Sequence, residues 1–363
     1  MKAGIIGATG YAGAELARIL AGHPEIDGMV LSSVSFEGEQ FEGVYPNVLG
    51  RISAPLVKAD EVIAAADVVF AALPHGVGES YAAACVAKGI PFIDLSADFR
   101  FGGDEVTYNA WYGKPYQYPE LHHNAVYGLP ELNRERIRGL RAAASGAASG
   151  GAIIGNPGCY PTGASLGAFP ALAQGLALDS AAIIIDSASG VSGGGREPSR
   201  SFHYPECADS IAPYKIGSHR HTPEIERNFA AMVAKENRPT RELIFTPHLA
   251  PMNRGILSTI YIPLAAEWRS ENPMRLHTLY TDFYRDEPFV RVLPADVIAA
   301  TNRVRQSNYC DISVHLNHRK NTLIVVTAID NMVKGAAGQA VQNMNILFGF
   351  NERAGLEMIP ALF

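Results

Sequence analysis

The sequence predicts an α/β chain of two parts: a doubly wound parallel-sheet unit, then an α+β unit with a mostly antiparallel sheet. Three observations carry this. Short apolar runs alternate with helical patterns through the first half. After Cys159 the runs lengthen, become rich in Ile, Val and Thr, and are joined by looser connections. At 363 residues the chain exceeds one ordinary hydrophobic core. The expected division is residues 1–157, completed by a C-terminal helix within 331–363, and residues 158–330.

In chain order, AGIIG (Ala3 to Gly7) reads as a buried strand, and AGAELARILAGHP as the helix after it. Leu16, Ile19 and Leu20 share one face of that helix, and Pro24 lies just past its end. GMVLSSV is a second strand, Asp60 to Ala66 a helix, and DVVFAALP a third strand. GESYAAACVAKG gives a helix ending at Gly89, and PFIDLSAD a further strand. RAAASGAASGG (Arg141 to Gly151) is low in complexity and reads as a surface loop. AAIIIDSAS, ELIFTPHLA, GILSTIYIPL, CDISVHLN and NTLIVVTAID are the strands of the second part. NMVKGAAGQAVQNMNILFGF reads as one long helix that returns to the first part. Its stripe would be Val333, Ala337, Ala340, Val341, Met344 and Leu347.

Composition excludes several functions. Hydrophobic content of 47% against 18% charged is enough for a core without staples. A net charge of −6 argues against nucleic acid as a partner. Cys85, Cys159, Cys207 and Cys310 are far apart and form no CxxC pair, so neither a disulfide framework nor structural zinc is expected. Free thiols suit a reducing cytoplasm, and MKAGIIGATG enters a strand at once without a signal-peptide pattern. Ala142 to Leu178 carries no charge, but Gly, Ser and Pro break it, so no membrane span is expected.

Gly7, Gly10 and Gly13 sit in GATGYAG directly after the first strand. Glycine there allows a tight turn, close approach of amides to a pyrophosphate, and tight helix–strand contact. The following helix N-terminus then meets the anion, which makes Gly7, Ala8, Thr9, Gly10, Tyr11 and Gly13 candidate dinucleotide contacts. The second strand ends in Ser32, Ser33, Val34 and Ser35, not in the Asp or Glu that suits NAD, so NADP is favoured. Glu37 and Glu39 follow and count against that preference. His75, in LPHGVG after the third strand, falls where the crevice should open.

NPGCYPTG places Cys159 after a Pro-Gly turn and before Pro161, at or just before a helix N-terminus. Such a position favours thiolate, and a positioned acid/base must add to it. GSHRHTPEIER supplies His219 and His221 for that role. In an extended segment both would face one side and Arg220 the other. The HxH pair lacks a third ligand at suitable spacing, so no metal is expected. Arg100, Arg196 and Arg254 are candidate clamps for an anionic substrate, and Ser192 to Gly195 could supply backbone N–H groups as an anion nest, with Ser192 and Gly193 as candidate cofactor contacts.

GATGYAGAEL, LPHG, DLSADFR, YGLPEL, NPGCYPTG, SGVSGGGR, HRHTPEI and FTPHLAPMNRGI occur in that order, with TN near position 301. This ordered set resembles the N-acetyl-γ-glutamyl-phosphate reductases, from Gly4 to about Gly338. The resemblance implies a Rossmann domain, a glyceraldehyde-phosphate-dehydrogenase-like catalytic domain and a homodimer or homotetramer. It implies reduction of N-acetyl-γ-glutamyl phosphate by NADPH to the semialdehyde in arginine biosynthesis. Cys159 would be the nucleophile, His219 the acid/base and His221 the second choice. Many members carry a basic residue near Val34, and this chain does not. Rival readings are a reductase of aspartyl or aminoadipyl phosphate and a non-catalytic dinucleotide sensor.

Overall fold

A computed structural model describes residues 1–144, 151–233 and 242–362. The chain forms two compact units: Met1–Gly158 with Ala336–Met358, and Cys159–Gly335 with Ile359–Phe363.

The first unit holds strands β1 (Lys2–Ile6), β2 (Gly28–Ser32), β3 (Leu56–Val57), β4 (Val68–Ala71), β5 (Phe92–Asp94), β6 (Val126–Tyr127) and β7 (Ile153–Gly155). They run in the order β3-β2-β1-β4-β5-β7-β6, and every pairing among these described strands is parallel. Ile5, Leu31, Val68, Val69, Phe70, Phe92, Ile93 and Ile153 are fully buried, as a sheet covered on both faces requires. The helix Tyr11–Leu20 buries Leu16, Ile19 and Leu20, the face expected from their spacing.

Between β5 and β7 lies a segment that no periodicity announced. Helices Glu105–Tyr112 and Pro119–Asn124 are held there by buried polar groups. The Glu79 carboxylate accepts the Gln117 and Tyr118 amides at 2.7 and 2.8 Å and meets His122 Nε2 at 3.2 Å. The His122 ring stacks between Tyr116 and Phe99, with centroids 3.4 and 4.7 Å away.

The C-terminal pattern is not one α-helix. Val333–Ala337 is a π-helix, and the α-helix runs Gly338–Phe348. All six residues of the expected stripe are buried, but so are Gln339, Gln342, Asn343 and Asn345. The α-helix is polar yet enclosed, and several of its amide groups are paired, although Gln339 Oε1 and Asn343 Oδ1 are buried without a hydrogen-bond partner. Asn345 Oδ1 pairs with His23, and Asn343 Nδ2 donates to the Gly128 carbonyl and to Asn156 Oδ1. The surface loop expected over Arg141 to Gly151 begins instead with a helical turn. Arg141–Ala144 is helical, and the Arg141 guanidinium donates to the Ile346 carbonyl; residues 145–150 lie outside the described residues.

The second unit holds β8 (Ile183–Ser189), β9 (Ala212–Pro213), β10 (Leu243–Leu249), β11 (Ile256–Pro263), β12 (Val290–Val292), β13 (Cys310–Leu316) and β14 (Thr322–Ile329). Their order is β12-β13-β14-β11-β8-β10-β9. The sheet is mixed: β8–β10 and β12–β13 are parallel, the other described pairings antiparallel. One face is sealed by the helix Cys159–Ala173, which has no charged residue. Gly167 lets it come close, since an added Cβ would stand 2.4 Å from Ile260 Cδ1 and 2.7 Å from Thr327 Cγ2. The opposite face shows a cross-strand row: Ile244 and Ile184 are direct neighbours, and the row continues through Tyr261 to Ile324. Ile184 and Ile244 remain 38% and 43% exposed.

No described helix is long and apolar enough to cross a membrane.

Candidate active site

In the first unit the glycine loop closes the turn from β1 into its helix. Gly7 has φ +85°, the left-handed region that favours glycine, and a Cβ there would lie 2.4 Å from the Ala72 carbonyl oxygen. A Cβ on Gly13 would lie 2.3 Å from the Gly7 carbonyl oxygen, so helix and turn meet backbone to backbone. The Gly7 and Ala8 amides donate to the Ser32 carbonyl, and the Gly10 amide donates to Gly7. These three amides therefore hold the loop. The helix beginning at Tyr11 has no side-chain cap and no acid in its first turn. Its first amides have no partner within the helix, which suits a pyrophosphate. A dinucleotide fits this edge on shape and on charge.

The residues expected at a bound ribose lie at the end of β2 and in its continuation. Thr9 and Ser33 hydroxyls share a hydrogen bond of 2.7 Å, and Ser32 is buried. Ser35 is exposed, and Val34 is 92% exposed. His75 lies in the loop after β4, where its Nδ1 accepts the Ala97 amide at 2.9 Å. Asp98 fixes the same loop by accepting the Gly76 and Gly78 amides at 2.6 and 3.0 Å. Arg100 is buried and points inward. Its Nε donates to the Asn156 carbonyl and its Nη2 to the Leu95 carbonyl, so these donors brace the loop after β5. Asp94, buried beside Asp98, has its carboxyl pushed well above the usual carboxylate range, mainly by desolvation and then by the Asp98 charge.

In the second unit Cys159 is the first residue of the buried helix and is itself only partly buried. Cys85, by contrast, is wholly buried, and desolvation pushes its thiol up to about 12. Next to Cys159, the Tyr160 hydroxyl meets the Tyr214 hydroxyl at 2.9 Å. The rings of His219 and His221 stand edge-on to Tyr160 at 5.4 and 5.9 Å and 4.9 Å from each other. The segment that carries them is a turn, not an extended strand: Thr222 N–H donates to the His219 carbonyl at 2.9 Å. The two imidazoles still converge, because the turn feeds directly into the helix Thr222–Met232.

His219 Nδ1 accepts the His221 amide at 3.1 Å. A neutral ring so held carries its proton on Nε2. Burial lowers its pKa to about 4, with the Lys215 and Arg220 charges adding to that effect. Tyr160 and Tyr214 also lie within the field of the Cys159 sulfur, and desolvation raises both hydroxyls.

Gly335, in the π-helix, is pressed on the nucleophile: a Cβ there would stand 2.9 Å from Cys159 Cβ. The turn into that π-helix is pinned by Asp330. Its buried carboxylate accepts the Met332, Val333 and Gln306 amides and pairs with Arg254 at 3.1 Å. Arg254, expected as a substrate clamp, thus anchors this turn. In the anion nest expected over Ser192 to Gly195, the Ser192 and Gly193 amides are committed within the protein. Their amides donate to Asn253 and Gly190 carbonyls, and the Ser192 hydroxyl donates to Asn253. Arg196 lies exposed just beyond. Tyr214, Lys215, Asp330 and Gly335 were not singled out from sequence, since their roles depend on partners distant along the chain. Among the described residues no three His, Cys, Asp or Glu side chains gather as a metal site.

Two family models match the chain, one before Cys159 and one starting at it. The family model described as semialdehyde dehydrogenase, NAD binding domain, matches residues 2–140. The one described as semialdehyde dehydrogenase, dimerisation domain, matches residues 159–331. The N-acetyl-gamma-glutamyl-phosphate reductase of Clostridium beijerinckii is 48% identical, with 100% of each chain covered. That of Symbiobacterium thermophilum is 46% identical over 98% of this chain and 97% of the relative. Among solved structures, aspartate semialdehyde dehydrogenase II of Vibrio cholerae, complexed with ASA, superposes at TM-score 0.70, with 16% identity, covering 95% of this chain and 97% of that one. Aspartate semialdehyde dehydrogenase with NADP from Candida albicans gives 0.67, with 18% identity, covering 95% and 98%. The structures establish the fold; the full-length identity establishes that the chain belongs to the N-acetyl-γ-glutamyl-phosphate reductase family of semialdehyde dehydrogenases.

Proposed function

We propose that this chain reduces N-acetyl-γ-glutamyl phosphate to N-acetyl-L-glutamate 5-semialdehyde with NADPH, through a thioester on Cys159. The observation that carries this is the partly buried Cys159 at a helix start, within reach of the field of Tyr160 and Tyr214 and beside two convergent histidines.

The Cys159 sulfur bonds to the acyl carbon, the acyl C–O bond breaks, and phosphate leaves with the thiol's proton. The Cys159–Ala173 helix starts at the nucleophile, so its N-terminal dipole would favour the negative charge developing on the acyl oxygen. When bound, the dinucleotide supplies the hydride that reduces the thioester carbon. The oxyanion then reforms its carbonyl, the C–S bond breaks, and Cys159 thiolate is regenerated. His219, neutral with its proton on Nε2, serves here as a hydrogen-bond donor to that oxygen. His221, its ring 4.9 Å from that of His219, is the second candidate for proton transfer at the thiol. Lys215 and Arg220 provide positive field for an anionic substrate, with Arg196 at the exposed rim.

The apolar row Ile244, Ile184, Tyr261 and Ile324 supports a homodimer formed on the open face of the second sheet, in keeping with the family model's description. A cytoplasmic site of action accords with four free thiols.

Reverse assays with phosphate and NADP test the substrate. N-acetylglutamate semialdehyde should be oxidised at least about 100-fold faster, in kcat/KM, than aspartate semialdehyde, because a binding site matched to one polar group rejects its absence by that much or more. Equal rates would defeat the assignment.

The electrostatics of His219 make a separate prediction. Its folded value lies below the ordinary 6.5, so the unfolded chain takes up a proton that the folded chain refuses. Stability from this group is therefore intact above 6.5 and is lost as pH falls toward about 4. In Arg220→Gln and Lys215→Met the His219 titration, followed by NMR, should move upward. An unmoved midpoint in both would leave burial as the whole cause.

A further inference from the structure

We infer that Lys58 recognises the cofactor's ribose 2′-phosphate, exchanging its contact with Glu37 for the phosphate. This rests on the cofactor reading above and deepens it.

The carboxyl end of β2 is where a dinucleotide's ribose must lie. The first position expected to offer positive charge, Val34, carries none and projects into solvent. The neighbouring strand compensates. β3 pairs with β2 in parallel, with Ser32 opposite Val57, so Lys58 stands level with Ser33 one residue beyond the last pair. Lys58 remains in extended conformation, with φ −70° and ψ 154°. Its Nζ reaches the loop after β2 and lies 3.7 Å from Glu37 Oε1. Both side chains are well exposed, at 68% and 50%.

Such an exposed pair is worth under about 1 kcal/mol and is readily exchanged. A phosphate dianion carries twice the charge of a carboxylate and offers three acceptor oxygens, so it competes well for the same ammonium. Glu61 turns one carboxylate oxygen to the Lys58 amide at 3.2 Å. Ser33 holds its hydroxyl nearby, already positioned by Thr9. Glu37 then becomes the selectivity gate: without phosphate it holds Lys58, and with phosphate it must swing out.

The test is calorimetric binding of 2′,5′-ADP and 5′-AMP to the full-length chain, independent of turnover. In Lys58→Met the 2′,5′-ADP dissociation constant should rise about tenfold while that for 5′-AMP stays unchanged, as loss of a charged hydrogen bond dictates. Lys58→Arg should restore most of the loss. Glu37→Gln should tighten 2′,5′-ADP about threefold, as removal of an exposed competing charge allows. Unchanged 2′,5′-ADP binding in Lys58→Met, or an equal loss for both probes, overturns the inference alone. A wild-type chain that binds neither probe overturns the cofactor reading and this inference with it.

Discussion

In Cys159→Ala, reduction of the acyl phosphate is expected to fall by about 10⁴-fold or more, as removal of a covalent nucleophile does elsewhere. NADPH binding should be unaffected, because the glycine loop belongs to a unit ending at Gly158 and resuming at Ala336. The substitution removes one sulfur from a partly buried position, so the fold should tolerate it. Stopped-flow reduction and NADPH titration of the same preparation separate the two quantities. Residual turnover above about 1% of wild type would mean that no thioester is required. Loss of cofactor binding in parallel would mean that the protein has been damaged, and Cys159→Ser would then decide the matter.

Asp330→Ala should give the largest loss of stability. Asp330 is fully buried and serves one guanidinium and three backbone amides. Removing it takes from Arg254 its buried carboxylate partner and leaves those amides without their acceptor. Breaking a buried pair in this way costs about 3–5 kcal/mol. For a unit of this size that corresponds to a drop of about 6–20 °C in melting temperature. Asp330→Asn keeps an acceptor but loses the charge and should fall between. Activity should fall as well, because the turn held by Asp330 leads into the π-helix that sets Gly335 against Cys159. A thermal midpoint within about 2 °C of wild type would show that the ion pair contributes nothing.

The long strands were legible in the sequence because burial on both faces writes continuous apolar runs, as in AGIIG and VVFA. β3, β6 and β12 span only two or three residues and leave no period to read. The segment around Glu105–Tyr112 and Pro119–Asn124 was missed for another reason: its core is a stack of Tyr116, His122 and Phe99 over a buried Glu79, and none of that shows as amphipathic spacing. Cys159 stood out by its Pro-Gly turn and the two histidines by the dense polar run GSHRHTPEIER, although the extended segment expected for them is a turn. The arginines were not interpretable in that way. Whether Arg254 clamps a substrate or a carboxylate of its own chain depends on Asp330, 76 residues away. Likewise Arg100 reads as an exposed clamp until the Asn156 carbonyl is found opposite it.

The first unit is assembled from two separated stretches of chain, and the second stretch includes the enclosed, amide-rich helix Gly338–Phe348. During synthesis, residues 159–335 must emerge before that helix can dock. At about 5–20 residues per second this leaves the nascent Rossmann portion incomplete for roughly 10–35 s. In that interval Asn156 and Gly128 lack their Asn343 partner, and His23 lacks Asn345. Ribosome-bound intermediates halted before Gly338 should therefore be more protease-sensitive in their N-terminal portion than the released protein.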